Sequence, residues 1–347
     1  MEAVDVRGRF VWHQLMTRDV PGAKNFYSKL IGWKTMAWPL DPAYTVCHAE
    51  VGPVAGIMAI PPDVPMDVPP HWVQYIGTRD VDGTADAAVR AGGSVMKAPA
   101  DMQGAGRYAV LKDPQGALFA IIDPENARPE PQGLTPLGAF SWHELATTDH
   151  EAAFAFYSGL FGWDVLQRMD MGSAGVYLIF GQNGVQRGGM YIPSTQQMPP
   201  SWMPYARVPD ADKAHALATS TGARSLVAPM DVPGGHRIAC LFDPSGAAFS
   251  VVSMPEAESA AAAAGEAKAP PKTKTKTKAR AARPASRAKP KSKPKKAKKQ
   301  AKKPVARKKV VRKPARKAAR KVAKKARRAA PRKKAAARKK SGARRKK

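Results

Sequence analysis

Two tripeptides, Trp12-His13-Gln14 and Trp142-His143-Glu144, hold the side chains of this chain best suited to chemistry. Each sets an indole, an imidazole and a carboxamide or carboxylate side by side. Strand residues alternate faces. If Trp12 looks into a concave site, Gln14 and Met16 look in with it, and His13 looks the other way. The same parity joins Trp142 to Glu144 and turns His143 away, so both histidines read as structural. A carboxylate beside an indole in a poorly hydrated hollow has a raised pKa and can serve as a general base. Glu144 is the candidate for that role; its plainer reading is a carboxylate solvated or paired with an arginine. Met58 and Met190 extend an apolar, aromatic lining that suits a planar or hydrophobic small molecule. Arg107 and Arg237 each follow a Gly-containing loop. A guanidinium there can clamp a substrate carboxylate through two parallel hydrogen bonds, or simply pair with Asp101 or Asp231, six residues earlier. The candidate ligand-binding residues are therefore Trp12, Gln14, Met16, Trp142, Glu144, Arg107 and Arg237, with Glu144 the candidate catalytic group.

These residues recur because the first 256 positions are a duplication with an offset of 130. Phe26-Tyr27 matches Phe156-Tyr157, Gly32-Trp33 matches Gly162-Trp163, Trp72 matches Trp202, and Asp113-Pro114 matches Asp243-Pro244. Self-similarity at a fixed period marks repeated structural units. Within each repeat the pattern runs strand, helix, three strands, and then runs again. Residues 9–17 read as a strand. Asp19 caps a helix over Pro21–Ile31, because a short side-chain acceptor satisfies free amides and proline suits the first turn. Strand-like runs follow near Lys34–Trp38, Tyr44–Val51 and Val54–Ile60. A second round sets a strand at Trp72–Thr78, a helix at Thr84–Ala91, and strands near Ser94–Lys97, Tyr108–Leu111 and Leu118–Ile122.

The set WHQLMTRD, FYSKLIGW and DPQGALF, repeated as WHELATTD, FYSGLFGW and DPSGAAF, resembles the vicinal-oxygen-chelate family of glyoxalase I, bleomycin-resistance proteins and extradiol dioxygenases. The resemblance implies an α+β fold: two tandem glyoxalase-like domains, each of paired β-α-β-β-β modules forming a curved sheet. They would span residues 8–125 and 138–255, joined by a linker at 126–137. The resemblance also implies a metal held by His and Glu inside each sheet. Here the first ligand position is Trp12 or Trp142, and the last is Ala120 or Ser250. The middle strands offer only His71, opposite Ser201 in the second repeat. Divalent metals need several N or O donors converging at once, so no metal and no cofactor is expected.

Residues 256–347 follow another logic. From Ala257 to Lys347 there are 40 Lys and Arg against two acids, while the first 256 residues hold 18 against 25. No aromatic residue follows Phe249. Such a segment cannot bury enough apolar surface to offset its ordering entropy, so disorder is expected. Its Lys/Ala/Pro composition resembles linker-histone tails. It is expected to bind DNA without sequence preference through phosphates, since it has no aromatics to stack on bases; Ala315–Ala330 has the propensity to turn helical there. With only Cys47 and Cys240, no signal-like start and no long apolar run, the expectation is a cytoplasmic, nucleoid-associated bacterial protein with no membrane segment. Three functions remain open: a DNA-tethered binder of small apolar or aromatic ligands, a lyase, isomerase or dioxygenase-like enzyme, and an architectural DNA-binding protein.

Overall fold

The computed structural model describes residues 4–130, 133–194 and 199–254. The basic segment, with its expected disorder, DNA contacts and helix at Ala315–Ala330, lies outside the described residues.

The first repeat runs β1 (Phe10–Thr17), α1 (Val20–Ile31), β2 (Lys34–Trp38), β3 (Asp41–Ala49), β4 (Gly52–Ala59), β5 (His71–Gly77), α2 (Val81–Arg90), β6 (Ser94–Met102), β7 (Gly106–Lys112) and β8 (Leu118–Pro124). The second runs β9 (Phe140–Ala146), α3 (His150–Phe161), β10 (Asp164–Asp170), β11 (Val176–Gln182), β12 (Val185–Tyr191), β13 (Ser201–Arg207), α4 (Ala211–Ser220), β14 (Arg224–Val232), β15 (His236–Phe242) and β16 (Ala248–Ser253). Each repeat makes one eight-stranded curved sheet, in the orders β2-β3-β4-β1-β5-β8-β7-β6 and β10-β11-β12-β9-β13-β16-β15-β14. The two modules of a repeat thus meet where their first strands pair antiparallel, β1 with β5 and β9 with β13.

Short polar caps start the helices. The Asp19 carboxylate accepts from the Gly22 amide, and Asp149 accepts from Glu151 and Ala152. Gly32 and Gly162 end them in the left-handed region, at φ 86° and 72°, which a Cβ would disfavour. The second helix of each repeat begins earlier than the Thr84 start read from the sequence. Asp80 and Asp210 supply the caps, and α2 opens at Val81.

The core does not respect the repeat boundary. Leu15, Phe26, Tyr27, Leu30, Trp33 and Trp72 pack with Ala211, Ala214, Leu241, Phe249 and Val251. Reciprocally, Ala85, Ala88, Leu111 and Phe119 pack with Phe156, Tyr157, Phe161, Trp163 and Trp202. Paired hydrogen bonds fix the arrangement. The Tyr27 hydroxyl donates to Asp243 at 3.0 Å and the Tyr157 hydroxyl to Asp113 at 3.1 Å. The Trp33 indole donates to the Gly138 carbonyl and the Trp163 indole to the Gly8 carbonyl, both at 2.8 Å. The helix-side faces of both sheets are therefore buried against each other, and the opposite, concave faces are turned away from this junction.

Candidate functional site

The bulge between Phe10 and Trp12 sets the first strand's two ends on opposite faces. Phe10 packs into the inter-repeat core, while Trp12 packs with Tyr75, Tyr108 and Met16 on the concave face. The Trp12 indole donates to the Tyr44 hydroxyl at 2.8 Å. Gln14 Oε1 accepts from Tyr75 at 3.1 Å and Tyr44 at 3.3 Å, and its Nε2 lies 3.0 Å from Met16 Sδ and 3.1 Å from Met58 Sδ. Gln14 is thus ringed by two phenols and covered by two thioethers.

The second repeat rebuilds this network around a carboxylate. Trp142 donates to the Tyr177 hydroxyl at 2.9 Å. Tyr177 donates to Glu144 Oε1 at 2.7 Å, and Tyr205 donates to Oε2 at 2.8 Å. Burial raises the Glu144 pKa above the usual carboxylate value, against the two tyrosine hydrogen bonds that lower it. The tyrosines answer in kind: burial first, and then the nearby carboxylate, push both phenols well up. Glu144 is half-buried on the concave face, so this carboxyl is partly shielded from water and partly exposed. Tyr44 and Tyr177 take their places because Gly56 and Gly189 stand beneath them. A Cβ on Gly56 would fall 1.8 Å from the Tyr44 hydroxyl oxygen, and one on Gly189 would fall 2.1 Å from the Tyr177 ring.

Not every sequence-predicted residue joins this group. Trp12, Gln14 and Met16 come together in one hollow, with Met58, and Trp142 and Glu144 in the other. Met190 does not: it is fully buried in the inter-repeat core, paired with Leu145. Gly189 pairs with Glu144 and Tyr191 with Ala146, so Tyr191 occupies the place expected of Met190. The gaps between residues 35 and 68 lengthen the offset from 130 to 133, so the counterpart of Met58 is Tyr191, one residue beyond Met190, and one residue in a strand reverses the face. Arg107 and Arg237 also stand apart. Arg107 binds Asp82 on α2 through Nε and Nη2, at 2.6 and 2.8 Å, and Asp101 through Nη1 at 2.9 Å. Arg237 repeats this with Asp212 and Asp231. Each guanidinium ties the first turn of a helix to a β-hairpin, so its carboxylate partners come from the chain itself. His13 and His143 lie on the helix side, where their rings meet between the repeats. The tyrosines are the residues that sequence reasoning misses. Tyr75 and Tyr205 are visible there as a pair at the repeat offset, on the same strand parity as the inward face.

The residues do not fit the metal that the family resemblance implies. Across the four central strands the inward positions include Trp12, Gln14 and Met16 on β1, Met58 on β4, His71, Val73 and Tyr75 on β5 and Ala120 on β8, so His71 is the one imidazole among them and none of these neighbours is a carboxylate or thiolate. The second repeat offers one carboxylate, Glu144, and Ser250 on β16. Among the described residues, no three His, Cys, Asp or Glu side chains gather in a metal-binding group. Cys47 and Cys240 are buried free thiols on different repeats. Among the described residues, no helix is long and apolar enough to cross a membrane.

The profile of the Glyoxalase/Bleomycin resistance protein/Dioxygenase superfamily matches residues 9–121 and 139–251, and the chain belongs to that superfamily. The provisionally named glyoxylase CFP32 of Mycobacterium tuberculosis is 33% identical over 244 residues, 70% of this chain and 93% of that protein. The anthracycline biosynthesis protein DnrV of Streptomyces peucetius is 33% identical over 273 residues, covering 74% of this chain and 96% of the relative. The fold resembles that of the Mn(II)-bound glyoxalase from Novosphingobium aromaticivorans, with a TM-score of 0.52, 16% identity, and coverage of 71% and 82% of the two chains.

Proposed function

We propose that this chain binds small planar or apolar molecules in its concave faces without a metal, and attaches to DNA through residues 257–347. The observation that carries the first part is the occupancy of the central strands. Where metal donors would converge, indole, phenol, thioether and amide groups line the hollow, and two hydrogen-bonded networks hold them in place. Aromatic rings fixed by their polar ends present large rigid faces at low entropic cost. A relative named for anthracycline biosynthesis supports a ligand with fused rings. The second part rests on the charge of the C-terminal segment. A cationic stretch of this density neutralises phosphates and releases counterions.

Calorimetry with polycyclic aromatic ligands should give binding to the full chain that EDTA leaves unchanged. Loss of binding after chelation, restored by one divalent ion per repeat, would overturn metal independence. Gel-shift titrations should show DNA affinity falling by several decades between 50 and 200 mM salt, as expected for about ten phosphate contacts. A chain ending at residue 256 should show none. Undiminished binding by the shortened chain would place the DNA contacts in the repeats.

A second reading makes the protein an enzyme of the lyase, isomerase or dioxygenase type, with Glu144 as its base. The raised pKa of this carboxyl and its two phenolic partners favour that reading over a purely architectural role. Glu144→Gln would abolish any turnover found in a substrate screen; undiminished turnover would remove Glu144 from the mechanism.

A further inference from the structure

The two hollows are unequal, and the difference lies in what surrounds the central polar side chain. In the first repeat, Gln14 is neutral, and the thioethers of Met16 and Met58 sit on its amide nitrogen. In the second, the residue at the Met16 place is Ala146, and Tyr191 stands at the Met58 place. The cover over the central group is therefore removed on the β9 side, and a half-buried carboxylate lies beneath.

Among the described residues, no lysine, arginine or histidine forms an ion pair with that carboxylate. Its hydrogen-bond partners among the described residues are the Tyr177 and Tyr205 hydroxyls. Four rings, Trp142, Tyr177, Tyr191 and Tyr205, surround it. Tyr177 and Tyr191 lie nearly parallel, with planes 25° apart and centroids separated by 6.2 Å. The Tyr191 hydroxyl makes no hydrogen bond to any described residue, whereas those of Tyr177 and Tyr205 are spent on Glu144. An isolated buried charge is costly until an opposite charge joins it, and aromatic faces attract cations through their quadrupoles.

From this we infer that the second hollow is a site for a planar organic cation, with Glu144 as counter-ion and the tyrosine and tryptophan faces as its cage, while the first hollow takes only neutral groups. The inference rests on the small-molecule-binding reading above and names the ligand class for one of its two sites. Two features select the ligand: the carboxylate demands positive charge, and the small Ala146 beside it suits a flat body that lies over the ring faces.

A matched pair of probes tests it. 1-Methylquinolinium is a permanent planar cation, and 1-methylnaphthalene is its uncharged isostere. Calorimetry on the full chain, free of nucleic acid, should show one quinolinium per chain, bound at least tenfold more tightly than the naphthalene. Glu144→Gln should erase that preference while naphthalene binding persists, since the amide copies Gln14 and keeps the hollow folded. Ala146→Met, which restores the thioether cover but leaves the carboxylate in place, should weaken quinolinium binding by a similar factor. Equal affinity for both probes, or a cation preference that survives Glu144→Gln, overturns the inference and leaves the small-molecule reading intact. Failure of both probes to bind overturns that reading, and the inference with it.

Discussion

His13 and His143, one from each repeat, meet edge to edge with their Nε2 atoms 2.8 Å apart. Their rings are nearly coplanar, 13° apart with centroids 5.0 Å apart, and so the contact lies close to the shared ring plane. Phe10 stacks on His143 at 3.7 Å and Phe140 stacks on His13 at 4.0 Å. The pair sits where the two repeats join, buried with 5% and 6% exposure. Across the sheet, Gln74 on β5 pairs with His13 and Pro204 on β13 with His143. From the next strands the Val54 backbone bonds His13, and the Arg187 carbonyl lies 3.1 Å from His143 Nδ1.

Acid should therefore loosen the junction. Burial lowers both imidazoles below their ordinary value, His143 to about 3, and for His13 the neighbouring ring adds to the effect. A histidine kept neutral by folding contributes stability that is complete above its unfolded pKa of about 6.5 and is lost as pH falls toward the folded value. Melting curves should show stability declining from about pH 6.5 downward by a few kcal/mol. His143→Gln should be less stable at pH 7.5 and should flatten that acid slope. An unchanged slope in the variant would assign the acid sensitivity to other groups.

Tyr27 and Asp243 make the same junction sensitive to chain cleavage. Residues of α1 pack on Ala211, Ala214 and Phe249 from the other repeat, so a chain of residues 1–130 would expose that face to water. It should be found aggregated or unfolded by circular dichroism, and co-expression with the second repeat should rescue it. Tyr27→Phe in the full chain removes the bond to Asp243 and the acceptor of the Trp72 indole, 3.1 Å away. Leaving buried partners unsatisfied costs about 1–3 kcal/mol, which urea titration would read as a lower midpoint at constant slope.

The fold is open to sequence reading because the repeat offset doubles every weak signal. Asp19 and Asp149, Gly32 and Gly162, and the Asp-Pro turns each appear twice at one spacing, and so the strand-helix-three-strand order emerges and the structure reproduces it. The inward Trp12-Gln14 and Trp142-Glu144 pairs follow from strand alternation alone. What escapes is whatever depends on contacts between distant strands. Tyr44 and Tyr177 lie in the gapped stretch, where the offset is 133 rather than 130. Their role depends on glycines across the sheet, which carry no pattern of their own. Asp82 and Asp212 are hidden for a similar reason: they cap nothing in sequence but meet Arg107 and Arg237 through the fold. The mixed core is equally invisible, because periodicity shows which face is apolar and not which neighbour covers it.

Glu144 should exact a stability cost that its function would justify. Its folded pKa is raised, so the ionised form is disfavoured by folding, and stability falls as pH rises above the unfolded carboxylate range. Glu144→Gln should stabilise the chain by about 1 kcal/mol near neutral pH, the range found when a buried charge is replaced by a neutral polar group. The benefit should vanish below about pH 4, where both states of the wild-type carboxyl bind a proton. Destabilisation at pH 7 would mean that the two phenols hold the carboxylate more tightly than desolvation opposes it.

Gly189 and Gly159 separate crowding at the site from ordinary helix propensity. Gly189→Ala places a methyl 2.1 Å from the Tyr177 ring, where the backbone of β12 has no room to retreat. The ring must leave, Glu144 loses its 2.7 Å donor, and the Trp142 indole loses its acceptor. The expected cost is about 1–3 kcal/mol from overpacking, together with a red-shifted tryptophan emission as Trp142 gains water. Gly159 lies in α3, where an added Cβ would meet only open space. Gly159→Ala should instead stabilise the chain by about 0.5–1 kcal/mol through helix propensity, with emission unchanged. If both variants shift stability alike, the Tyr177 ring is not wedged over Gly189, and the carboxylate's phenolic clamp depends on some other support.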